Sequence, residues 1–273
     1  MFPADTPSIY RNPAIPDVTM RRLPLAVVGL ILTILPACQR PPVATNVLFE
    51  KAYGLQITGN KSDAIALYKR AARAGHAGAM LALGILDDGG TVRTNLVLAL
   101  TDSSRGQSRW FQDAAPALEI LAASGNEEAR IMLAIMLERG IGIQASPSRA
   151  VGILQAAPRT ALSDYWLGWL FERRGEYESA AAFYRRASRD GVPAGYTALG
   201  LMHMNGRGVQ ASFGTGMALL RVGYDRGHLS AGDLYSSYLT STEQQAAMGN
   251  IESLRHLDEF RRAGLDELTG VPF

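Results

Sequence analysis

Cysteine is almost absent from this chain, with Cys38 the single example among 273 residues. An intramolecular disulfide, a cysteine-rich zinc site and a cysteine-ligated cluster are therefore excluded. Net charge is also small, at +2, which gives no electrostatic case for binding a nucleic acid. Hydrophobic residues make up 47% of the chain, enough for a buried core.

Motifs of catalysis and cofactor binding are missing as well. The sequence holds no HExxH, no G-x-S-x-G and no phosphate-binding glycine loop. Its histidines are scattered, at His76, His203, His228 and His256. Two acidic pairs, Asp87-Asp88 and Glu127-Glu128, fall near expected helix ends, where capping or solvation is more typical than catalysis. We therefore expect no enzyme activity, no cofactor, no metal and no small-molecule substrate.

The N-terminal region has the pattern of a targeting segment. Residues 1–19 contain four prolines and no apolar periodicity, so Met20 is the predicted start and residues 1–19 an over-extended reading frame. Arg21 and Arg22 then precede an uncharged run over residues 23–36. This run is shorter than the roughly 20 residues that span a bilayer, so residues 20–37 are interpreted as a signal peptide.

The run ends in Leu35-Pro36-Ala37-Cys38, which resembles the lipobox of bacterial lipoproteins. The resemblance implies lipid attachment to the Cys38 thiol, then cleavage before this residue and acylation of the new amine, with residues 38–45 as a tether. Gln39 favours the outer membrane, facing the periplasm. Several acyl chains on one residue give stable anchoring. The alternative is a short apolar stretch with a chance cysteine.

An internal repeat organises the rest of the chain. A small residue is followed by a large one at +4, a small one at +7 and a glycine or alanine at +11. These offsets share one helix face, and a final glycine is typical of a helix C-cap. Starts recur roughly every 30–36 residues, apart from one longer interval. They are Ala64, Ala114, Ala150, Ala180 and Gly216.

A second pattern precedes the later copies and predicts the first helix of each pair. It is a leucine followed by a small residue, as in Leu83-Gly84, Leu133-Ala134, Leu167-Gly168 and Leu199-Gly200. No strand-like alternation occurs. The sequence therefore predicts an all-α, helix-turn-helix repeat solenoid of about five to six helix pairs over residues 46–240.

These units resemble the tetratricopeptide superfamily and its Sel-like branch. In residues 161–193 the matching positions are Leu167, Gly168, Phe171, Gly175, Ala180, Tyr184 and Ala187. Asp164 departs from the family, which has tryptophan there. The Gly-x-Gly turns at Gly140/Gly142 and Gly206/Gly208 are Sel-like. The resemblance implies a protein-binding scaffold, and one known role of Sel-like lipoproteins is to assemble exopolysaccharide export.

Two segments depart from the repeat. Residues 96–112 lengthen the second unit, as a contact loop or as a longer helix, the simpler interpretation. Residues 241–273 are predicted to be capping helices and a tail. The N-cap would lie at Ser241-Thr242-Glu243, and the apolar residues that cover the end of the array are Ile251, Leu254, Leu257 and Phe260.

Candidate partner contacts lie on the first helices, which line the concave face of such arrays. Tyr165, Trp169 and Arg173 form an i, i+4, i+8 stripe in the fourth unit. Arg139, with Ile131 and Ile135, and Leu201, with Thr197 and Asn205, hold the equivalent positions in the third and fifth units. Aromatic and arginine side chains are frequent interface anchors. The alternative is that Tyr165 and Trp169 only pack within the array.

Other envelope proteins are the predicted partners, with the membrane reached through the lipid. A second hypothesis is a periplasmic regulator that binds the outer domain of a sensor kinase. An enzyme is a third. The Sel-like proteins linked to β-lactam binding are defined by disulfides, which this chain cannot form.

Overall fold

The computed structural model describes residues 43–93, 95–103 and 106–262, and within these ranges it contains helices and no strand. The helices are α1 Val43–Ile57, α2 Lys61–Arg73, α3 Ala77–Asp87, α4 Leu96–Asp102, α5 Arg109–Ala123, α6 Glu127–Arg139, α7 Pro147–Gln155, α8 Ala161–Arg173, α9 Tyr177–Arg189, α10 Pro193–Asn205, α11 Phe213–Asp225, α12 Leu229–Ala247 and α13 Ile251–Arg262. The predicted early start, signal peptide, Cys38, Gln39 and the tail from residue 263 lie outside the described residues. Among the described helices, none is long and apolar enough to cross a membrane.

Six helix pairs follow one another along the chain, and α4 is an additional helix. The pairs are α1/α2, α3/α5, α6/α7, α8/α9, α10/α11 and α12/α13, and each helix packs mainly against its neighbours in this order. Contacts between neighbouring units alone are the defining property of a solenoid. The predicted all-α helix-pair array is therefore confirmed.

The two sequence patterns meet where the helices of a pair pack together. Tyr184 of α9 is buried against α8, and its hydroxyl donates a 2.7 Å hydrogen bond to Glu172. A Cβ at Gly168 would lie 2.7 Å from the Tyr184 ring, so only glycine admits the tyrosine at this distance. Gly84 is in the same relation to Phe111 in the second unit, at 2.6 Å. The small residue of the first helix thus receives the large residue of the second.

The third unit departs from its predicted pattern. Helix α7 ends at Gln155, so Ala157 lies beyond it and Ala161 is the first residue of α8 instead of a helix-closing position. Pro158 explains the early end, because the residue before a proline is disfavoured in helical conformation. Helix α7, the second helix of this unit, is consequently shorter than α6, the first.

The insertion is not the lengthened helix that the sequence suggested. It forms a separate short helix, α4, and a loop that leads into α5. Asp88 anchors this loop by accepting hydrogen bonds from the Ser103 hydroxyl at 2.6 Å and the Gly106 amide at 2.7 Å. Asp87 accepts from Ser108 at 2.8 Å. The first acidic pair therefore fixes the insertion to α3.

Both ends of the array differ from the predicted boundaries. Helix α1 already begins at Val43, so residues 43–45 belong to it and not to the tether. Helix α12 continues through Ser241 and Glu243, and Thr242 donates to the Tyr238 carbonyl inside the helix, so the predicted N-cap is wrong. The break comes at Gly249, whose φ of 85° ends the helix.

Helix α13 covers the end of the array with a different face than predicted. It packs against α11 and α12 and buries Ser253, while Ile251 and Leu254 remain 76% and 50% exposed. Leu257 and Phe260 are half-buried, as expected of the packed face. The period of three in the sequence therefore mixed two faces of the helix.

His76 and His228 lie at turns, where each directly follows a glycine and is the N-cap residue of α3 or α12. The His76 Nδ1 accepts a 3.0 Å hydrogen bond from the Ala79 amide, and its ring stacks on Phe49 at 4.9 Å. Burial lowers the pKa of His76 to about 4. An accepting Nδ1 inside this packing requires the neutral ring.

We therefore expect the array to lose stability in mild acid. The unfolded His76 binds protons near pH 6.5 and the folded one only near 4, so its stabilisation is complete above pH 6.5 and is lost as pH falls toward 4. From pH 7 to 5 the loss is about 2 kcal/mol. Urea unfolding at a series of pH values measures it.

The control is His76→Asn, because Asn126 fills the same cap position before α6 and accepts from the Ala129 amide at 2.8 Å. This variant keeps the cap without a titrating group. The free energy of unfolding of this variant should depend less on pH. The remaining pH dependence is expected from His203 and His228, whose pKa values are also lowered by burial. An unchanged pH dependence would show that His76 is not responsible.

Candidate partner-binding site

The predicted stripe of α8 lies together on one face and is partly open to solvent. Tyr165 and Trp169 are half-buried, and Arg173 is exposed. The Arg173 guanidinium lies 5.0 Å from the centre of the Trp169 ring, a cation–π contact. The buried Trp166 supports both aromatic residues edge-on, at 5.2 Å from Tyr165 and 5.7 Å from Trp169. Trp166 therefore holds the partly exposed rings of Tyr165 and Trp169 in place from the buried side of α8.

Tyr165 and Trp169 also contribute to packing, as the alternative interpretation proposed. Both contact the core on either side of α8, which joins the earlier units to α9 and α10. Burial, followed by the charge of Glu172, raises the pKa of Tyr165 to about 12. The phenol is consequently neutral at physiological pH, and Arg173 supplies the charge of the stripe.

Arg173 has donors to offer. Within the described ranges its guanidinium makes no hydrogen bond and no ion pair, and it lies against the Trp169 ring. A guanidinium carries five N–H donors in a fixed fork. At the end of α8, this fork is available to a carboxylate or to backbone carbonyls of another molecule.

Arg139, the equivalent in the third unit, is already occupied, which corrects its predicted role as a partner contact. Its Nη1 donates to the Leu100 carbonyl at 2.8 Å and to the Thr101 carbonyl, and its Nη2 donates to the Ser103 carbonyl. These carbonyls lie at the C-terminal end of α4, where helix carbonyls lack the amide partners of the next turn. Burial lowers the pKa of Arg139, and so does the nearby positive charge of Arg173.

The residues at the equivalent positions of the third and fifth units are mostly buried and inaccessible to a partner. Ile131 and Ile135, on the Arg139 face of α6, are each 1% exposed. In the fifth unit, Thr197 is buried and its hydroxyl lies 2.8 Å from the His228 Nδ1. Leu201 is half-buried, as a contact at the edge of the stripe would be. The open part of the predicted surface is therefore α8, with Leu201 beside it.

The sequence analysis did not predict a groove of about 550 Å³ that lies between α5, α6 and α7. It lies where the short α7 lacks a last turn, with Leu133 and Ile153 on its walls and Pro158 at one end. Arg149 and Glu119 form an exposed 3.2 Å ion pair across it. Pro158 was the only sequence signal for it.

No cluster of three or more histidine, cysteine, aspartate or glutamate side chains suited to a metal ion occurs in the part of the chain that the structure describes. The chemistry available on α8 is that of binding: aromatic faces, a cation and hydrogen-bond donors.

Comparison with known proteins finds similarity only to solved structures of repeat proteins. No family model and no curated protein matches this chain. A solved Sel1 repeat protein from Oxalobacter formigenes is similar, with 16% identity and a TM-score of 0.46 over 79% of this chain and 84% of that one. A protective antigen of uropathogenic Escherichia coli strains, with an SLR fold, has 18% identity and a TM-score of 0.39 over 80% of this chain and 53% of the other.

Both neighbours are Sel1 repeat structures, the class that the sequence resembles. At these values they carry no argument about what this chain binds. Its own six helix pairs define it as a helix-pair repeat array.

Proposed function

We propose that this chain is a protein–protein interaction scaffold, attached by lipid at Cys38 to the outer membrane and facing the periplasm. The observation that carries the binding function is the α8 stripe. Its half-buried Trp169 is held in place by Trp166 and lies under the Arg173 guanidinium, which has no polar partner among the described residues. Buried aromatic residues with arginine beside them dominate binding energy at many interfaces.

The anchor and the pathway rest on sequence resemblance. The lipobox at residues 35–38 supports lipid attachment, and the Sel-like resemblance supports the assembly of an envelope complex such as one for exopolysaccharide export. A scaffold fixed at the membrane meets its partners in two dimensions, which raises their effective concentration.

Cys38→Ala is expected to release the protein from the membrane fraction into the soluble periplasmic fraction, because the lipid is its proposed attachment. Cell fractionation and immunoblotting measure this. The first described helix begins at Val43, so the thermal unfolding of the released protein should match that of the wild type. A variant that has lost residues 20–37 and still stays with the membrane would contradict the anchor.

Trp169→Ala is expected to reduce partner capture by at least about tenfold, because truncating a central aromatic anchor costs 2 kcal/mol or more. In-cell crosslinking, purification of the anchored protein and quantitative mass spectrometry measure capture. Trp110→Ala is the matched control, since Trp110 is a half-buried tryptophan of α5 outside the stripe.

The identity of the captured proteins tests the finer proposal. Outer-membrane porins or glycan-synthesis components would support an export scaffold, whereas a sensor kinase from the inner membrane would replace it with the regulator hypothesis. Equal losses for Trp169→Ala and Trp110→Ala would mean that destabilisation, and not the stripe, controls capture.

A further inference from the structure

Helix α4 shows what this array accepts on the face of a first helix. It packs against α3 and α6 and buries the apolar side chains of Leu96, Val97, Ala99 and Leu100. Its C-terminal carbonyls accept hydrogen bonds from Arg139, the last residue of α6. On α6, this arginine ends a stripe that begins with two buried apolar residues, Ile131 and Ile135, at one-turn spacing.

Helix α8 repeats this stripe one unit further along. Tyr165, Trp169 and Arg173 hold the positions of Ile131, Ile135 and Arg139, with the arginine again at the end of the helix. The charge of Arg173 acts on Arg139, so the two guanidinium groups lie near each other beside the C-terminus of α4. The α8 stripe therefore continues an occupied surface.

The two stripes differ in occupancy. Ile131 and Ile135 are fully buried and Arg139 is engaged by carbonyls. Trp169 is half-buried, and Arg173 has no polar partner within the described ranges. A helix C-terminus supplies what Arg173 lacks, because its last four carbonyls are unsatisfied and carry about half a negative charge.

We infer that the Tyr165–Trp169–Arg173 stripe receives a short helix of a partner protein beside α4, with its apolar side chains on the two rings and its C-terminal carbonyls on Arg173. This inference rests on the proposed scaffold function and specifies the partner's chemistry. The partner segment is an amphipathic helix of about two turns that ends at the stripe, followed by a non-helical residue as Ser103 follows α4. Recognition is through the helix end, so a helix that continues past Arg173 binds poorly.

Two stapled, fluorescein-labelled peptides provide the test. The first has the sequence of residues 95–103 with a C-terminal amide, and therefore ends in free helix carbonyls. The second continues the same helix by two alanine-rich turns, which satisfy those carbonyls internally. Fluorescence anisotropy with the full-length protein measures both affinities. We expect the first peptide to bind at least about tenfold more tightly, since one lost set of charge-assisted hydrogen bonds costs 1.4 kcal/mol or more.

Variants assign the binding to the stripe. Arg173→Met should weaken the first peptide at least about tenfold and the second hardly at all, which a purely structural role would not produce. Arg173→Lys should recover part of the loss, because an ammonium keeps the charge without the planar fork. Arg189→Met, on the exposed side of α9, is the control and should leave both affinities unchanged.

Three results would overturn the inference: equal affinities for the two peptides, an Arg173→Met variant that behaves like Arg189→Met, or no saturable binding up to about 1 mM. The scaffold proposal fails separately. If Trp169→Ala abolishes capture in cells while Arg173→Met leaves it intact, the scaffold stands and the helix-end inference falls. If capture is insensitive to Trp169→Ala, the site itself is wrong.

Discussion

Gly208→Ala is expected to lower the free energy of unfolding by about 2–5 kcal/mol, because two effects add. Gly208 has a φ of 65°, which costs other residues about 1–2 kcal/mol. A Cβ there would also lie 2.2 Å from the Tyr177 carbonyl carbon and 2.3 Å from its oxygen, at the start of α9. Backbone atoms cannot move aside as a side chain can, so overpacking adds about 1–3 kcal/mol. Urea unfolding followed by circular dichroism measures the loss.

Two other glycines separate these causes. Gly206→Ala shares the positive φ, at 61°, but its nearest neighbour is the Ala211 Cβ at 3.1 Å, so only about 1–2 kcal/mol should be lost. Gly152→Ala, at an exposed position of α7 with no atom within 4 Å of the added Cβ, should gain about 0.5–1 kcal/mol. Equal losses at Gly206 and Gly208 would show that the close approach to Tyr177 is unimportant.

Arg186→Met is expected to destabilise the array by about 3 kcal/mol. Asp164 is fully buried in α8, and Arg186 of α9 reaches both of its oxygens, with Nε donating at 3.1 Å. Arg159 supplies a second ion pair at 3.3 Å. Removing one partner of a buried ion pair is costly because the remaining charge is left without compensation. We place the loss at the low end of that range, since Arg186 is half-exposed and Arg159 remains.

A double-mutant cycle tests this explanation. With Asp164→Asn in place, no buried charge remains, so adding Arg186→Met should cost less than it does in the wild type. Arg149→Met breaks the solvent-exposed pair with Glu119 and serves as the control, with an expected effect of less than about 1 kcal/mol. Additive losses of Asp164→Asn and Arg186→Met would mean that the pair is not coupled.

Asp164 illustrates a departure that sequence comparison could notice but not explain. The position is tryptophan in the tetratricopeptide pattern, and an aspartate there indicates a break in the core. The structure instead satisfies the carboxylate with Arg159, from the loop before α8, and with Arg186, from α9. These arginines follow no periodic spacing from Asp164, because they come from separate elements that meet only after packing.

Local features of this protein were determined by the sequence alone. The helix pairs and their turns follow from a 3.6-residue period and from glycines with positive φ, such as Gly140 and Gly206, which act over a few residues. Misplaced boundaries came from equally local errors, as at Ser241, where a capping residue type lies inside a helix.

The tertiary structure decided which part of the repeated stripe is open. By sequence, Arg139 and Arg173 are equivalent, at the same position of neighbouring units. The insertion folds back as α4 and packs against α6, and its C-terminal carbonyls accept hydrogen bonds from Arg139, about 36 residues away in the chain. Contacts at that separation leave no period in the sequence, so only the packed array distinguishes an occupied arginine from an available one.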